Sequence, residues 1–231
     1  EPHENKVWGL FALLAVVLWP SQRVEACSCQ YAHPQTQFCH AEFVVLARVM
    51  KYIPGDSYES AYRVKIHKKF KMSHAAELAL KDGLLYTASS DGMCGVRLQR
   101  GVTYVLSGQV SDGKPRIGLC GLAMPWPQVT PRQRKGFRML YHHNCVCNIQ
   151  YTPWYHKGIA LDALAGKRCL WESSPGPQDC QEQHGLCMKG PVGCSWFPSV
   201  AYKNCIKEFQ RKHVTNPCDI IERSELSSDG W

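Results

Sequence analysis

What the 231-residue chain lacks narrows its function before any motif is read. It has no His-Glu-x-x-His, no Ser-His-Asp order and no phosphate-binding loop, so a catalytic role has little support. It has no Asn-x-Ser/Thr sequon, so N-glycosylation is not expected. It has no internal repeat and no low-complexity tract. After residue 26 it has no apolar run long enough to span a bilayer, so a soluble mature protein with no membrane span is expected. Acidic residues are outnumbered 19 to 27 by Lys and Arg, a net charge of +8. That balance favours acidic partners such as sulfated glycosaminoglycans, or simply serves solubility. A nucleic-acid partner is not expected.

What is there begins with an apolar stretch. Val7 to Leu18 reads VWGLFALLAVVL, the length of a signal-peptide core, with Lys6 ahead of it and the small residues Val24 and Ala26 at the −3 and −1 positions of a cleavage site. Residues 1–26 are therefore expected to be a leader, and the first residue, Glu1 rather than Met, fits an incomplete or processed terminus. Cutting after Ala26 leaves 205 residues, enough for one large or two small domains, raises the net charge to +9 and makes Cys27 the first mature residue. Thirteen cysteines behind a leader point to a disulfide framework and a secreted, extracellular protein. The competing use, intracellular zinc ligands, needs thiolates in a reducing compartment and is opposed by the leader and the irregular spacing.

Cys27, Cys29, Cys39, Cys94, Cys120 and Cys145 are widely spaced, while Cys147, Cys169, Cys180, Cys187, Cys194, Cys205 and Cys218 crowd the last third. Sparse cysteines suit a domain with its own apolar core, and crowded ones a lobe that depends on cross-links. The boundary is placed between Cys145 and Cys147: a domain over 27–145, a disulfide-rich domain over 146–218, and a polar tail over 219–231.

The first region reads as mainly β. Glu42 to Met50 is β-branched and apolar, as a buried strand is, and Tyr62 to Phe70 alternates, with Gly55-Asp56 turning between them. Val102 to Leu106 and Gly108 to Val110 supply a further strand, followed by the hairpin signal Asp112-Gly113. Ser73 caps a helix over Ser73 to Leu80, and Pro131 starts another that reaches Tyr141, with Arg132, Arg134, Lys135 and Arg138 on its polar side. Short strands with a few flanking helices suggest a small closed barrel of the OB-fold type. The last region reads as loops and short strands.

Cys27-Ser28-Cys29 carries the chemistry. A free α-amine with an ordinary pKa of about 7.7–8.0 is partly neutral at physiological pH. With its own carbonyl oxygen it forms a five-membered chelate. Catalytic zinc accepts such donors and keeps one position open for water, which a pinned terminus could occupy. From spacing alone, a staple that merely ties down a fraying terminus is the better supported role. The neighbouring residues change that balance.

Those residues read Cys27-Ser28-Cys29-Gln30-Tyr31-Ala32-His33-Pro34-Gln35-Thr36-Gln37-Phe38-Cys39, then Phe43-Val44-Val45-Leu46-Ala47-Arg48-Val49. The segment resembles the tissue inhibitors of metalloproteinases, whose mature chains open Cys-x-Cys and continue through His-Pro-Gln and an aromatic-Cys pair into a strand. Met93-Cys94-Gly95-Val96, Gly118-Leu119-Cys120, Asn144-Cys145-Val146-Cys147, Cys169-Leu170-Trp171 and Cys194-Ser195-Trp196 resemble later segments of the family. The likeness implies a five-stranded OB-fold barrel of the netrin-like class with a small disulfide-rich second lobe. It implies the bridges Cys27–Cys94, Cys29–Cys120, Cys39–Cys145, Cys147–Cys194 and Cys169–Cys187. Of Cys180, Cys205 and Cys218, extra cysteines that bring the pattern closer to invertebrate members, two are expected to pair, Cys180 with Cys205 as the first choice, which leaves Cys218 as a free thiol.

The resemblance also implies a mechanism. Main-chain atoms of Cys27 would chelate the catalytic zinc of a target protease, so the chain would need no cofactor of its own. Ser28 would lie over the S1′ pocket, Cys29, Gln30 and Tyr31 would continue as a substrate-like strand, and Ser90, Asp91, Gly92 and Met93 would flank it. The partners implied are matrix or membrane-anchored zinc metalloproteinases, with heparan sulfate or extracellular matrix as a further candidate. The alternative is a netrin-like matrix or heparin-binding module that inhibits nothing.

Other residues have blander roles. His33 is expected to have a structural role in its His-Pro-Gln turn, and the adjacent pair His142-His143 is not expected to bind metal, because neighbouring residues seldom face one ion. Trp126 between two prolines reads as a packing anchor. Arg63, Lys65, Lys68, Lys69 and Lys71, with the four basic residues after Pro131, read equally as a heparan sulfate site or a solvated face.

Overall fold

The computed structural model describes residues 27–151, 168–171 and 179–214. The expected leader, Cys218 and the tail 219–231 lie outside the described residues.

Five strands close into a barrel. β1 (Phe43–Ile53) and β2 (Glu59–Met72) form a long antiparallel pair, β3 (Leu84–Ala88) lies against β2, β5 (Lys114–Arg116) runs parallel to β3, and β4 (Thr103–Ser111) joins β5 to β1. β6 (Ala123–Pro125) adds to the free side of β4. The strand expected over Val102 to Leu106 and Gly108 to Val110 runs unbroken through Ser107. Three register irregularities along β1–β2 bend the pair, as barrel closure requires. Asp112 and Gly113 have φ of 53° and 72°, so the β4–β5 hairpin uses the two positive-φ residues of a type I′ turn.

The apolar run in β1 has a direct cause. Phe43, Val45, Ala47 and Val49 point into the barrel against Tyr62, Val64, Leu85 and Leu106. Val44 points outward but is equally buried, in a second cluster with Phe38, Val105, Leu122, Phe137 and Tyr141. Both faces are covered, so strict alternation is absent.

Three helices of the first lobe are capped by side chains at their starts, of which the sequence pattern singled out Ser73 alone. In α1 (Pro34–His40), His33 accepts from Gln35 N and Pro34 sits in the first turn. In α2 (His74–Ala79), Ser73 accepts from Ala76 N at 3.1 Å. α3 (Pro131–Lys135) opens on a Thr130–Gln133 capping box and runs through a wide turn, Gly136–Leu140, into α4 (Tyr141–His143). Gly136 is required there, because a Cβ would lie 2.4 Å from the Tyr141 ring.

The second lobe pairs β7 (Asn148–Tyr151) with β8 (Arg168–Trp171) and β9 (Cys187–Gly190) with β10 (Gly193–Trp196). Its buried cluster is built on Cys147, Cys169 and Cys187, a sulfur-centred core typical of a lobe too small for an apolar one. It also holds two helices absent from the sequence-based expectation, α5 (Cys180–His184) and α6 (Val200–Val214). Ser199 Oγ accepts from Tyr202 N at the start of α6.

The lobes meet through buried polar side chains. Gln35 copies a strand's pairing: its Oε1 accepts from Cys187 N at 3.0 Å and its Nε2 donates to Cys187 O at 2.9 Å. Thr130 and Gln133 donate to the carbonyls of Gln183 and Glu182. Leu186 of the second lobe is buried in the Phe38–Val44–Phe137 cluster.

Candidate functional site

Two chain segments meet at one end of the barrel. The extended residues 27–31 arrive from the amino-terminal side, and the turn Ser90–Met93 follows the end of β3. The main-chain N–H of Cys27 donates to the Gly92 carbonyl at 3.1 Å. Cys27 is bridged to Cys94, and Cys29 to Cys120, with Cα separations of 5.1 and 5.2 Å. The four sulfurs lie within 4.8 Å of one another. All four are consumed in S–S bonds, so they form a double clamp and no ligand set. The remaining bridges are Cys39–Cys145, Cys147–Cys194, Cys169–Cys187 and Cys180–Cys205, which completes the six pairs named above.

The turn is built to hold one shape. Met93 N and Gly95 N both donate to Ser90 O, and Cys94 N donates to Asp91 O. Cys94 has φ of 63°, a left-handed conformation that a cysteine adopts at a cost and that the bridge and turn bonds maintain. A Cβ on Gly95 would lie 2.2 Å from Ala88 O, so only glycine lets β3 pass that closely. The Asp91–Arg97 ion pair at 3.1 Å is exposed and adds little. Ser28, Gln30, Tyr31 and Ser90 through Met93 are exposed, so the two segments form a ridge of accessible main chain.

The β1–β2 loop leans on this ridge. Asp56 Oδ1 accepts from Tyr58 N and Glu59 N, both at 2.8 Å, and these bonds hold its carboxyl below the usual carboxylate range. Ser89, next to the turn, donates through Oγ to Asp56 O and through N to Tyr58 O.

Behind the ridge the chain dives into the protein. His33 is 1% exposed; its Nδ1 accepts from Gln35 N at 3.1 Å and its Nε2–H donates to Gln181 O at 2.9 Å. The pairing requires the neutral Nε2–H tautomer. Burial drives the His33 pKa down to about 4, against which the Gln181 bond is a lesser, opposing effect. With both nitrogens committed, His33 is structural. His142 and His143 are exposed with rings 81° apart, and the four clamp sulfurs are the only cluster with metal-ligand spacing among the described residues.

The candidate basic set divides. Lys69 pairs with Glu77 at 2.8 Å, and Lys71 donates to the Phe38 and Cys39 carbonyls at the end of α1, where partial burial pushes its pKa down. Arg134 lies over the Trp126 ring at 4.3 Å and Arg132 over Phe197 at 4.9 Å. These two were expected on the polar side of the helix, as part of either a heparan sulfate site or a solvated face, and instead pack. Trp126, stacked on Phe70, anchors that packing. Arg63, Lys65 and Lys68 stay exposed, as do Arg48 and Lys51, which the sequence pattern did not single out as basic-site residues. Arg48 lies opposite Lys65 and Lys51 opposite Arg63 across the β1–β2 ladder.

Comparison with known proteins places this geometry. A family model described as tissue inhibitor of metalloproteinase matches residues 25–196. The chain is 36% identical over 203 residues to metalloproteinase inhibitor 4 of Mus musculus, covering 82% of this chain and 88% of that protein. It is 33% identical over 198 residues to metalloproteinase inhibitor 3 of Scyliorhinus torazame, with coverage of 83% and 89%. It is 29% identical over 215 residues to the tissue inhibitor of metalloproteinase of Drosophila melanogaster, with coverage of 87% and 97%.

Proposed function

The chain belongs to the tissue inhibitor of metalloproteinase family, and from that premise we propose that it is a secreted inhibitor of zinc metalloendopeptidases that works through the main chain of Cys27. The observation that carries the mechanism is the doubly clamped Cys27, whose nitrogen is already directed by a hydrogen bond to Gly92 O. Once the chain is cut after Ala26, that nitrogen is an amine. One of its hydrogens stays on Gly92 O, which aims the lone pair outward beside the Cys27 carbonyl.

The amine and carbonyl then take the position that water holds on the protease's zinc. Ser28 covers the S1′ mouth, where a small side chain admits many proteases. Gln30 and Tyr31 run on along the cleft, and Ser90–Met93 occupy the other side. No bond of the inhibitor reaches the metal in a scissile position, so the complex does not turn over. Pre-organisation by two bridges limits the ordering entropy lost on binding. Matrix and membrane-anchored metalloproteinases are the targets assigned.

The test compares the chain starting at Cys27 with the same chain carrying one extra alanine ahead of it. Inhibition is expected to fall by about a hundredfold or more, because both metal contacts are lost together, while circular dichroism is unchanged. Equal inhibition by the two proteins would overturn the chelation mechanism, and absence of inhibition by either would favour the matrix-module alternative.

Heparan sulfate binding is a second reading, favoured by the Arg48/Lys65 and Lys51/Arg63 pairs. Like charges directly opposite destabilise a ladder, and a polyanion would neutralise them. Replacing the four with Gln is expected to lower the salt needed for elution from heparin without changing inhibition. An unchanged elution point removes this site.

A further inference from the structure

Tyr151, in a stretch with no obvious role in the sequence, touches the ridge. Its ring and that of Tyr31 are 5.6 Å apart with planes at 66°. Tyr151 also meets Trp171 at 5.7 Å and 75°, and Trp171 meets His33 at 5.6 Å and 88°. Trp171 is 2% exposed, and its indole N–H donates to Asp179 Oδ2. A series of ring edges therefore runs from the exposed ridge to buried Trp171 of the second lobe and on to buried His33.

The main chain around Tyr31 needs such a support. Cys29 is fixed by its bridge and His33 by its buried bonds. Between them, among the described residues, the main chain of Gln30, Tyr31 and Ala32 makes no hydrogen bond. Tyr31 is 64% exposed, so its own burial does little to orient it. Edge-to-face aromatic pairs at this spacing favour one relative orientation.

We propose that Tyr151 is a positioning residue for the inhibitory ridge: through its ring edge on Tyr31, the second lobe sets the direction in which residues 29–31 leave the clamp, and so tunes the affinity for the protease. This rests on the reading that residues 27–31 enter the protease cleft. The second lobe is then a part of the inhibitory surface as well as an appendage to the barrel.

The test is a double-mutant cycle on the mature full chain: wild type, Tyr31→Ala, Tyr151→Ala and the double variant, with the inhibition constant measured against a metalloproteinase catalytic domain that the wild type inhibits. Tyr151→Ala is expected to weaken inhibition about three- to tenfold, Tyr151→Phe to restore it, and the Tyr151 change to have no further effect once Tyr31 is alanine. Tyr151→Leu, which keeps Trp171 covered, serves if the alanine variant fails to fold, and should weaken inhibition equally. Additive effects in the cycle, or inhibition unchanged in both Tyr151→Ala and Tyr151→Leu, overturn the proposal. The alanine-extended chain separates the two levels. If it loses inhibition while the cycle is additive, the chelation reading stands and only the role of Tyr151 fails.

Discussion

Acid is expected to destabilise this fold most through the buried side chain of His33. The unfolded imidazole titrates near 6.5 and the folded one near 4. Above pH 6.5 both states are neutral, and the residue adds nothing to the pH dependence. Between 6.5 and 4 the unfolded chain takes up a proton that the folded chain refuses, so stability falls as pH falls. Below 4 both states are protonated and the loss is complete. A difference of that size corresponds to about 3 kcal/mol. The cause is geometric: a proton on Nδ1 would face the Gln35 N–H it now accepts, between two tryptophan rings and with the charge out of reach of water. The assay is denaturant unfolding of the oxidised protein at a series of pH values from 7.5 to 3.5, for wild type and His33→Gln. His184, whose pKa burial also lowers, acts in the same direction in both proteins and cancels from the comparison. The variant should be less stable at pH 7 but should show a flatter decline between 6.5 and 4. Parallel curves would refute the assignment to His33.

Two substitutions probe the lobe junction and the ridge. Gln35→Ala strands the Cys187 N–H and carbonyl in a buried junction and should cost about 2–4 kcal/mol by denaturant midpoint; a loss under 1 kcal/mol would mean that water replaces the amide. Gly95→Ala places a methyl against Ala88 O and should weaken inhibition more than it lowers the melting temperature, because the displaced turn is the one that carries Gly92; unchanged inhibition would show that the turn adjusts without moving Cys27.

Local signals in the sequence were legible where the structure depends on local physics. The Phe43–Val45 run, Ser73 as a cap, the Asp112-Gly113 turn and Pro131 at a helix start each act within a few residues, and each appears where the pattern puts it. Non-local features were not. Gln35 and His33 sit in a short His-Pro-Gln string that reads as a turn, and their partners Cys187 and Gln181 are about 150 residues away with no periodicity linking them. Helix α6 does carry a helical stripe in its sequence, Tyr202, Cys205, Ile206 and Phe209 at i, i+3, i+4 and i+7, but the crowded cysteines around it read as loops and short strands, and the Cys180–Cys205 bridge ties it down. Arg132 and Arg134 carry charge but pack through their flat guanidinium faces on Phe197 and Trp126, a use that a charge pattern does not reveal. The bridge partners followed from the family resemblance, because spacing permits many connectivities.

The proposed cleavage after Ala26 would make Cys27 a chain terminus, ordinarily the first part of a protein to fray, and a terminal ligand is useful only if it does not. Two devices oppose fraying here, and they differ in kind. The Cys27–Cys94 and Cys29–Cys120 bridges close loops of 67 and 91 residues; in the chain-entropy account either one alone is worth about 4 kcal/mol, and neither depends on pH in the acid range. The aromatic series behind Tyr31 ends on His33 and does depend on it. Acid should therefore loosen the second lobe's hold on residues 30–32 while leaving Cys27 clamped against Gly92. Inhibition that declines between pH 6.5 and 4 in step with global unfolding would assign the ridge to one cooperative unit with the lobe junction. Inhibition that weakens while the near-ultraviolet signal of the barrel persists would separate the clamp, which holds the residue proposed to chelate, from the aromatic series proposed to direct the strand beyond it.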